Sequence, residues 1–384
     1  GPSPDLMLAR DDDPGLFALR RDLAAPFASC LVHGSAGRYE LVLRLAGPDG
    51  AGHAHIPQIL VHVKATPRPS RDANHAVVTS VLADRGSGTF AVEPASRGRR
   101  RIRRPLRSEP RVDVVVAFRD HAELLSRAAL SVLELTSYER MTLRLIDNGS
   151  TDPAVPPLLN KLASDPRVLV RSDPRPFNFA ALNNAAAAEG AGEMLVFLNN
   201  DTEVIEPDWI EVLAEEAQRA DVGAVAPMML YPDGTVQHVG AALGLHGYAG
   251  HPFAGLAVDA TTAFGSPLDG TRNWLAVTAA CMMVERRKFE AVGGFDERFV
   301  VAGNDVDLCL RLTERGWRSL CVPHTQLLHD ESRSRGRHID PGDFERSRVS
   351  YGGFRTIGDP FYHPALSLTR TDCTLRRRGE EVAQ

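Results

Sequence analysis

Short clusters of Asn and Asp side chains follow two of the apolar segments in this 384-residue sequence. Residues 141–147, MTLRLID, run directly into NGSTD, and residues 193–198, EMLVFL, run directly into NNDTEV. If both segments are neighbouring strands of one parallel sheet, their polar ends converge on one crevice at its carboxyl edge. Oxygen ligands grouped in this way suit Mg²⁺ or Mn²⁺ carrying a diphosphate. Each cluster alone has a simpler interpretation as a turn, because Asn, Asp and Gly are ordinary turn residues.

A regular alternation of strand and helix patterns surrounds both clusters. The predicted strands are residues 112–118, 141–147, 167–171 and 193–198, and the predicted helices are residues 122–135, a helix after Pro153, residues 179–191 and a helix from about Pro207. Strands that alternate with helices at this spacing predict a parallel sheet with helices on its faces. We therefore expect an α/β fold with a mostly parallel sheet, preceded by a small α+β segment.

The overall composition is that of a globular protein and argues against several classes of function. Hydrophobic residues make up 43% and charged residues 24% of the chain, and the formal net charge is −5, so we expect no nucleic-acid partner. The five cysteines form no C-x-x-C pair, which argues against a disulfide framework and favours a reducing cytoplasm. The longest apolar stretch, residues 274–284, is too short to cross a bilayer.

An arginine-rich stretch divides the chain into two parts. Residues 97–107, RGRRRIRRPLR, contain seven arginines in eleven positions. We expect a linker at 97–110 between an N-terminal segment, 1–96, and a main domain, 111–370, with a short tail at 371–384. A charged run of this kind is usually a solvated linker. The alternative is a patch that binds anionic lipid headgroups or another polyanion.

Eight segments of the main domain resemble glycosyltransferase family 2, whose members have the GT-A fold and use nucleotide-sugar donors. They occur in order between residue 111 and about residue 370, and they are VDVVVAFRD, LRLIDNGSTDP, DPRPFNFAALNNAAA, EMLVFLNNDTEVIEPDW, AVAPMMLYPDGTVQHVGAALG, NWLAVTAACMMVERRKFEAVGGFDE, NDVDLCLRLTERGW and LLHDES. The pattern is most similar to the bacterial subgroup that builds O-antigen and other surface polysaccharides, in which rhamnosyltransferases are frequent.

The resemblance implies a nucleotide-sugar site along the carboxyl edge of the sheet. Asp147 would bind the base of the nucleotide, and Ala117, Phe118 and Arg119 would form the rim around the base and the ribose. The other donor-binding residues would be Phe177, Asn178 and Asn183, together with Asn199 and Asn200 at the position of the D-x-D motif of the family.

The resemblance also implies a Mg²⁺ or Mn²⁺ site. Asp201 would be the carboxylate ligand, and His329 stands where the family has a histidine that completes the metal site. A lone histidine at a strand end is otherwise more often structural. Because the first D-x-D position is the neutral Asn199, we expect weak metal affinity without the nucleotide. Asp330 stands where relatives often carry a second histidine.

The segment GNDVDLCLRLTERG, residues 303–316, predicts a capped helix. Asn304 is a suitable N-cap, Asp307 is placed as the acid of a capping box, and Gly316 can end the helix. Capping does not account for Asp305. By resemblance Asp305 is the catalytic base, and a helix N-terminus favours its ionised form, which can accept the proton of an acceptor hydroxyl.

The acceptor side and the N-terminal segment carry weaker patterns. His238, His251, Trp274 and Asp296 are candidates to line an acceptor site or are ordinary core and loop residues, and the cationic loop 332–335 could close over the donor diphosphate or be solvated.

The N-terminal segment contains a weak internal repeat. Residues 39–45 and 55–62 echo 305–312 and 321–329, which we interpret as a remnant of a preceding glycosyltransferase unit that lacks its nucleotide-binding half. Chance similarity in a chain rich in Leu and Arg is the alternative. Residues 73–93 are predicted to form a helix and a short strand that bridge to the main domain.

These features predict an inverting, metal-dependent glycosyltransferase. It would move a sugar from a dTDP-, UDP- or GDP-sugar to a glycan or lipid-linked glycan during bacterial surface polysaccharide synthesis, in the cytoplasm and in peripheral contact with the inner membrane. The alternative is a non-catalytic module that binds glycan or nucleotide-sugar and scaffolds an assembly complex, since Asn199 and Asp330 depart from the family pattern. A nucleotidyltransferase is disfavoured, because FRDHAEL after the first strand is not a glycine-rich phosphate loop.

Overall fold

The main body of the protein is a large mixed sheet covered by helices, in a computed structural model that describes residues 3–10, 21–45, 71–95, 99–330 and 340–380. In these residues the helices are α1 (Pro4–Ala9), α2 (Arg21–Ala24), α3 (Gly34–Leu45), α4 (Arg71–Asp84), α5 (Ala122–Leu135), α6 (Val155–Leu162), α7 (Phe179–Glu189), α8 (Trp209–Ala217), α9 (Arg286–Ala291), α10 (Asn304–Glu314), α11 (Pro341–Ser350) and α12 (Gly352–Ile357). The strands are β1 (Ala91–Pro94), β2 (Arg100–Arg103), β3 (Val112–Phe118), β4 (Met141–Asp147), β5 (Val168–Ser172), β6 (Met194–Leu198), β7 (Thr202–Val204), β8 (Val222–Leu230), β9 (Val236–His238), β10 (Ala242–Leu243), β11 (Ala249–Gly250), β12 (Arg272–Trp274), β13 (Cys281–Glu285) and β14 (Arg318–His329).

The sheet places its strands in the order β12-β14-β8-β13-β6-β3-β4-β5, with β7 paired to β14 and β9 paired to β8. Strands β6, β3, β4 and β5 are parallel neighbours, and β14 is parallel to β8. Strand β13 is antiparallel to both β6 and β8 and so joins the two parallel groups. The predicted α/β class is confirmed. The strands and helices from β3 to α8 lie close to their predicted positions, except β7, which the sequence analysis did not predict.

Alternate residues of the central strands point into two separate hydrophobic cores. In β3, Val115 belongs to the core that contains residues of α7 and α10, whereas Val114 and Val116 belong to the core that contains residues of α5, α6 and α8. A parallel strand with helices on both sides is expected to be apolar on both faces, as β3 is. This packing fixes the register in which Phe118 lies opposite Asp147, at the edge that carries the predicted donor residues.

The N-terminal residues pack against the main sheet. Helix α1 contacts β12, where the backbone N–H of Asp5 donates a 3.0 Å hydrogen bond to Asn273 Oδ1. The Asp5 carboxylate lies 2.7 Å from Arg219 and 3.3 Å from Arg318. Burial raises the pKa of Asp5, but Arg219 and Arg318 outweigh this effect and hold the pKa well below its usual range.

Residues 99–104 of the arginine-rich stretch are folded and their arginines contact protein groups, so the prediction of a solvated linker is wrong for these residues. In β2, Arg101 and Arg103 lie 3.5 Å and 2.5 Å from the Glu215 carboxylate of α8. Arg104 lies 3.0 Å from Glu216, the next residue of the same helix. Both glutamates are buried, and the arginines offset the cost of removing their charges from water. Because protein carboxylates already bind these arginines, the arginines give no support to the alternative of a patch that binds anionic lipid headgroups.

Part of the predicted internal repeat lies within the described residues. Residues 39–45 are helical within α3, and α4 and β1 form at the helix and strand predicted for residues 73–93. Residues 55–62, the second half of the repeat, lie outside the described residues, so the repeat stays a prediction. Among the helices described here, none combines the length and the hydropathy that a bilayer-spanning helix requires.

Candidate active site

The carboxyl ends of β3 and β4 form the wall at which a nucleotide base is predicted to bind. Asp147 ends β4, and its Oδ1 accepts a 2.8 Å hydrogen bond from the backbone N–H of Ser150. Asn148 is buried and donates from Nδ2 to the carbonyl oxygens of Asp173 and Arg175. Asp147 can therefore form a turn and still be a binding residue. The turn engages its Oδ1, and the hydrogen bonds of Asn148 hold the turn against the end of β5.

Two consecutive residues after the predicted rim have left-handed backbones. Asp120 and His121 have φ angles of 56° and 53°, which non-glycine residues seldom adopt. The Asp120 carboxylate accepts hydrogen bonds from the backbone N–H groups of Asp152 and Thr151, and these bonds lower its pKa below the usual range. The β3–α5 turn is therefore held against the β4–α6 loop, next to Ala117, Phe118 and the exposed Arg119. Strain of this kind clusters at functional sites.

The predicted donor residues around α7 have structural contacts. Asn178 is the N-cap of α7: its Oδ1 accepts from the Ala181 N–H at 2.8 Å, and its Nδ2 donates to the Glu297 carbonyl at 2.7 Å. Asn183 is buried and donates from Nδ2 to the Phe179 carbonyl. Phe177 is 41% exposed and is available for a ligand. Contact of these three residues with a donor stays a prediction.

Strand pairing brings the two predicted metal ligands together. Thr202 of β7 lies opposite His329 of β14, and the Asp330 backbone N–H donates to the Asp201 carbonyl at 2.9 Å. As a result, Nε2 of His329 lies 3.3 Å from Oδ1 of Asp201 and 3.5 Å from Nδ2 of Asn199. Asp201 and His329 are both buried. Asp330 points a carboxylate oxygen to within 3.7 Å of Arg127.

The Asp201–His329 pair fits a divalent cation that takes few protein ligands. Adjacent ligands of one octahedral cation at about 2.1 Å lie about 3 Å apart, close to the separation of these two atoms. Nε2 of His329 faces the Asp201 carboxylate, whereas Nδ1 is buried without a hydrogen-bond partner among the described residues. The described residues contain no group of three or more His, Cys, Asp and Glu side chains suited to a metal. The remaining ligands would therefore come from a bound diphosphate and water.

The predicted base, Asp305, lies on the first turn of α10. Its Oδ1 accepts a 2.9 Å hydrogen bond from the Val306 N–H, and its Oδ2 accepts a 3.1 Å hydrogen bond from the Ala279 N–H. Each carboxylate oxygen therefore has one donor and keeps a further lone pair for another partner.

The start of α10 differs from the predicted capping box. Gly303, with a φ of 84°, occupies the N-cap position, and Asn304 is already helical. Asp307 does not cap the helix, because it pairs with Arg311 at 2.8 Å and accepts a hydrogen bond from Ser350. Gly316, also left-handed, follows the end of the helix as predicted.

A three-residue segment, 278–280, links the predicted base to the predicted metal site. The Thr278 N–H donates to Nε2 of His238 at 3.3 Å, and the next residue, Ala279, donates to Asp305. The Ala280 carbonyl accepts a 2.9 Å hydrogen bond from the Asn199 N–H. One strip of backbone thus fixes the base relative to the first D-x-D position.

His238 is a buried support of this strip. Its ring packs edge-on against His251, with 4.6 Å between the ring centroids. Burial, reinforced by the neighbouring His251 and His329, holds the pKa of His238 well below its usual range. The imidazole is therefore neutral, and its Nε2 can accept the Thr278 N–H.

A cavity of about 320 Å³ opens beside Asp305. Four chain regions form it: the β10–β11 region, Thr278, the start of α10, and α11 with Tyr351 directly after it. The described lining residues are Ala241, His246, Tyr248, Ala249, His251, Thr278, Ala302, Gly303, Asp305, Val306, Asp343, Phe344, Ser347 and Tyr351.

Of the predicted acceptor residues, His251 lines this cavity and the other three do not. His238 lies behind His251. Trp274 is buried against Gly240, where a Cβ would come within 2.1 Å of the indole ring. Asp296 forms an ion pair with the exposed Arg298 at 2.6 Å. Residues 332–335, the predicted closing loop, lie outside the described residues.

The sequence analysis missed the contribution of α11. The Asp343 carboxylate accepts hydrogen bonds of 2.8–3.0 Å from the N–H groups of Val300, Val301 and Ala302, directly before α10. Tyr351 donates from its hydroxyl to the Gly303 carbonyl at 3.1 Å. The sequence signal was the pair Asp340-Pro341, because Asp at the N-cap followed by Pro predicts a helix start.

Comparison with known proteins shows that this chain is similar to sugar-transferring enzymes. A family model described as Glycosyl transferase family 2 matches residues 113–253. The O-antigen biosynthesis protein RfbC of Myxococcus xanthus is 40% identical over an alignment of 400 residues that includes 100% of this chain. A relative from Sinorhizobium fredii is 39% identical over 71% of this chain. The chain spans about a third, 31%, of the length of each of these two relatives.

Two further matches cover more of the partner protein. The N-acetylglucosaminyl-diphospho-decaprenol L-rhamnosyltransferase of Mycobacterium tuberculosis is 32% identical over 237 residues, which are 54% of this chain and 72% of that enzyme. The crystal structure of GalNAc-T7 with UDP, GalNAc and Mn²⁺ matches 63% of this chain and 48% of its own, with a TM-score of 0.52 at 15% identity. At this identity the match to GalNAc-T7 shows a shared fold and nothing further.

Proposed function

Because this chain belongs to glycosyltransferase family 2, we propose that it transfers a sugar from a nucleotide-diphosphate donor to a hydroxyl of a glycan acceptor with inversion. The observation that carries the proposal is the position of Asp305, which lines the cavity on one side of segment 278–280 while Asn199, Asp201 and His329 lie on the other side. A donor held at the metal site and an acceptor held in the cavity would meet at this strip.

Asp305 is the better of the two cavity carboxylates for the role of base. Asp343 is only 1% exposed, and three backbone N–H groups engage its oxygens. Asp305 is less buried and each of its oxygens accepts a single backbone hydrogen bond. A partly open carboxylate can accept the proton of an acceptor hydroxyl as the new glycosidic bond forms. A single displacement requires one base and inverts the anomeric carbon.

The remaining site residues would bind and orient the donor. Asp147 and the rim of Ala117, Phe118 and Arg119 would hold the base and ribose. Asp201 and His329 would hold a Mg²⁺ or Mn²⁺ ion, which neutralises charge on the departing diphosphate when it is bound. The donor would be a dTDP-, UDP- or GDP-sugar. The name of the Mycobacterium relative, an L-rhamnosyltransferase, supports rhamnose as a candidate sugar, and the name of the Myxococcus relative supports a role in O-antigen synthesis.

The test is nucleotide release from a panel of dTDP-, UDP- and GDP-sugars with Mn²⁺, with Mg²⁺ and with EDTA. We expect release with one donor class, its loss in EDTA, and a product whose anomeric configuration by NMR is opposite to that of the donor. Glu314→Gln, an exposed change at the far end of α10, should behave as the wild type. Release from no donor would refute a transferase, and a retained configuration would refute single displacement.

A further inference from the structure

We propose that the cavity beside Asp305 binds an uncharged sugar ring of the acceptor against Tyr248 and Phe344, and disfavours an acceptor whose reacting sugar carries a diphosphate. This inference rests on the proposed function, in which Asp305 is the base. It separates two acceptor classes, the end of a growing glycan and a sugar linked directly to a lipid diphosphate.

The charge of the cavity is the first observation. Its described lining residues include the two carboxylates Asp305 and Asp343, and they include no Lys or Arg. Arg346, which approaches Asp343 at 3.4 Å, does not line the cavity. In a sugar diphospholipid the phosphates are one sugar ring from the attacking hydroxyl. They would lie near the partly open Asp305 carboxylate without a described cation in the lining, and like charges brought together in this way oppose binding.

An aromatic pair on the cavity wall is the second observation. Tyr248, from the β10–β11 region, and Phe344, from α11, have ring centroids 4.9 Å apart and an interplanar angle of 48°. Both residues are partly exposed and both line the cavity. The face of an aromatic ring is electron-rich, so it attracts the C–H bonds on the apolar face of a sugar. The pair therefore offers a surface for a neutral ring and nothing that binds an anion.

An exposed histidine supplies polar contact at the same wall. His246 has a left-handed backbone, with a φ of 57°, and its N–H donates to the Leu368 carbonyl at 2.7 Å. A non-glycine residue held in this conformation by its surroundings is a candidate for a functional role. A neutral imidazole has one donor and one acceptor nitrogen, which matches sugar hydroxyls. The volume of about 320 Å³ is near the lower end of small-molecule pockets and suits a sugar unit or two.

The experiment compares two matched acceptor panels with the donor that the wild-type enzyme uses. One panel holds octyl glycosides of rhamnose, glucose, galactose and N-acetylglucosamine, and the other holds the same sugars as farnesyl diphosphate esters. We expect kcat/KM for the best octyl glycoside to exceed that for its diphosphate counterpart. Phe344→Leu and Tyr248→Leu should each raise the glycoside KM about tenfold, as for loss of one aromatic contact.

Val349→Ala is the matched control on α11, because Val349 is 78% exposed and does not line the cavity. Diphosphate acceptors that react better than glycosides, or aromatic variants with an unchanged acceptor KM, would overturn the inference while the proposed transferase stands. An absence of both donor hydrolysis and transfer with every donor would instead refute the proposed function.

Discussion

Oδ2 of Asp305 accepts a 3.1 Å hydrogen bond from the backbone N–H of Ala279, and this bond ties helix α10 to the strip of backbone beside the Asp201–His329 pair. The carbonyl of the next residue, Ala280, binds the Asn199 N–H. The predicted base therefore cannot shift without moving the strip that supports the first D-x-D position. The same strip of backbone thus holds the side chain of the predicted base and the backbone of the first D-x-D position.

Asp305→Asn should abolish most transfer without loss of donor binding. The amide oxygen can still accept a hydrogen bond from Ala279 or Val306, so the start of α10 should keep its place, but the amide cannot take a proton. We expect kcat to fall by about 10²–10⁴-fold, the usual contribution of general-base catalysis. Calorimetry with the nucleoside diphosphate should give an affinity within about twofold of the wild type. Near-normal turnover in this variant would remove Asp305 from the reaction.

Asp201→Ala and His329→Ala should weaken nucleotide binding only when the metal is present. Asp201 and His329 are the two predicted protein ligands of the metal, and each variant leaves only one of them to hold the metal beside the diphosphate. We expect the affinity for the nucleoside diphosphate to fall at least about tenfold in Mn²⁺ and to change little in EDTA. Asp208→Asn, an exposed change at the start of α8, is the control. An unchanged Mn²⁺-dependent affinity in both variants would place the metal elsewhere.

His238→Phe should slow catalysis without changing donor affinity. The variant leaves the partly buried Thr278 N–H without its acceptor, a loss of at most about 1–3 kcal/mol, and so loosens the strip that holds Asp305. We expect a lower kcat and, as the largest effect, a higher KM for the acceptor substrate. His238→Asn keeps an atom that can accept the Thr278 hydrogen bond and should be less impaired. The pKa of His238 lies well below its usual range, so the pH–rate profile near neutrality should contain no step that His238→Asn removes. Equal kinetics in the two variants would exclude this positioning role.

Asp5→Asn should lower the free energy of unfolding in a pH-dependent way. The pKa of Asp5 is depressed in the folded protein, so its contribution is fully present above the unfolded pKa of about 3.9 and is lost as the pH falls below that value. Urea unfolding at about pH 7 should show the variant less stable, by less than the roughly 3–5 kcal/mol of a fully unpaired buried charge, because Arg219 and Arg318 lose Asp5 but keep Asp221 as a partner. The difference between the two proteins should shrink as the pH falls below about 4. A difference independent of pH would mean that packing, not charge, is lost.

Sequence patterns were sufficient where the determining interactions are local. The strands and helices from β3 to α8, apart from β7, were predicted because apolar periodicity and turn residues report on neighbours within a few positions. Asp147, Asp201 and Asp305 were predicted as site residues because each lies in a short segment that resembles the family, and their roles stay predictions. The helix at 303–316 was also predicted, although its first residue was assigned one position wrongly: Asp343 and Tyr351, distant in sequence, hold the chain at 300–303 and leave Gly303 at the N-cap.

The sequence by itself determined the fold class, the family and the polar residues at the strand ends. Tertiary structure alone decided what the arginine-rich stretch does and what lines the cavity. A run of arginines has the same composition whether it is solvated or paired, and the partner of Arg103, Glu215, lies 112 residues away on α8. Tyr248 and Phe344 come from separate chain regions with no shared motif, and only the packing of α11 against the start of α10 brings them onto one wall. Pairing over such distances depends on the folded geometry, which local residue patterns do not encode.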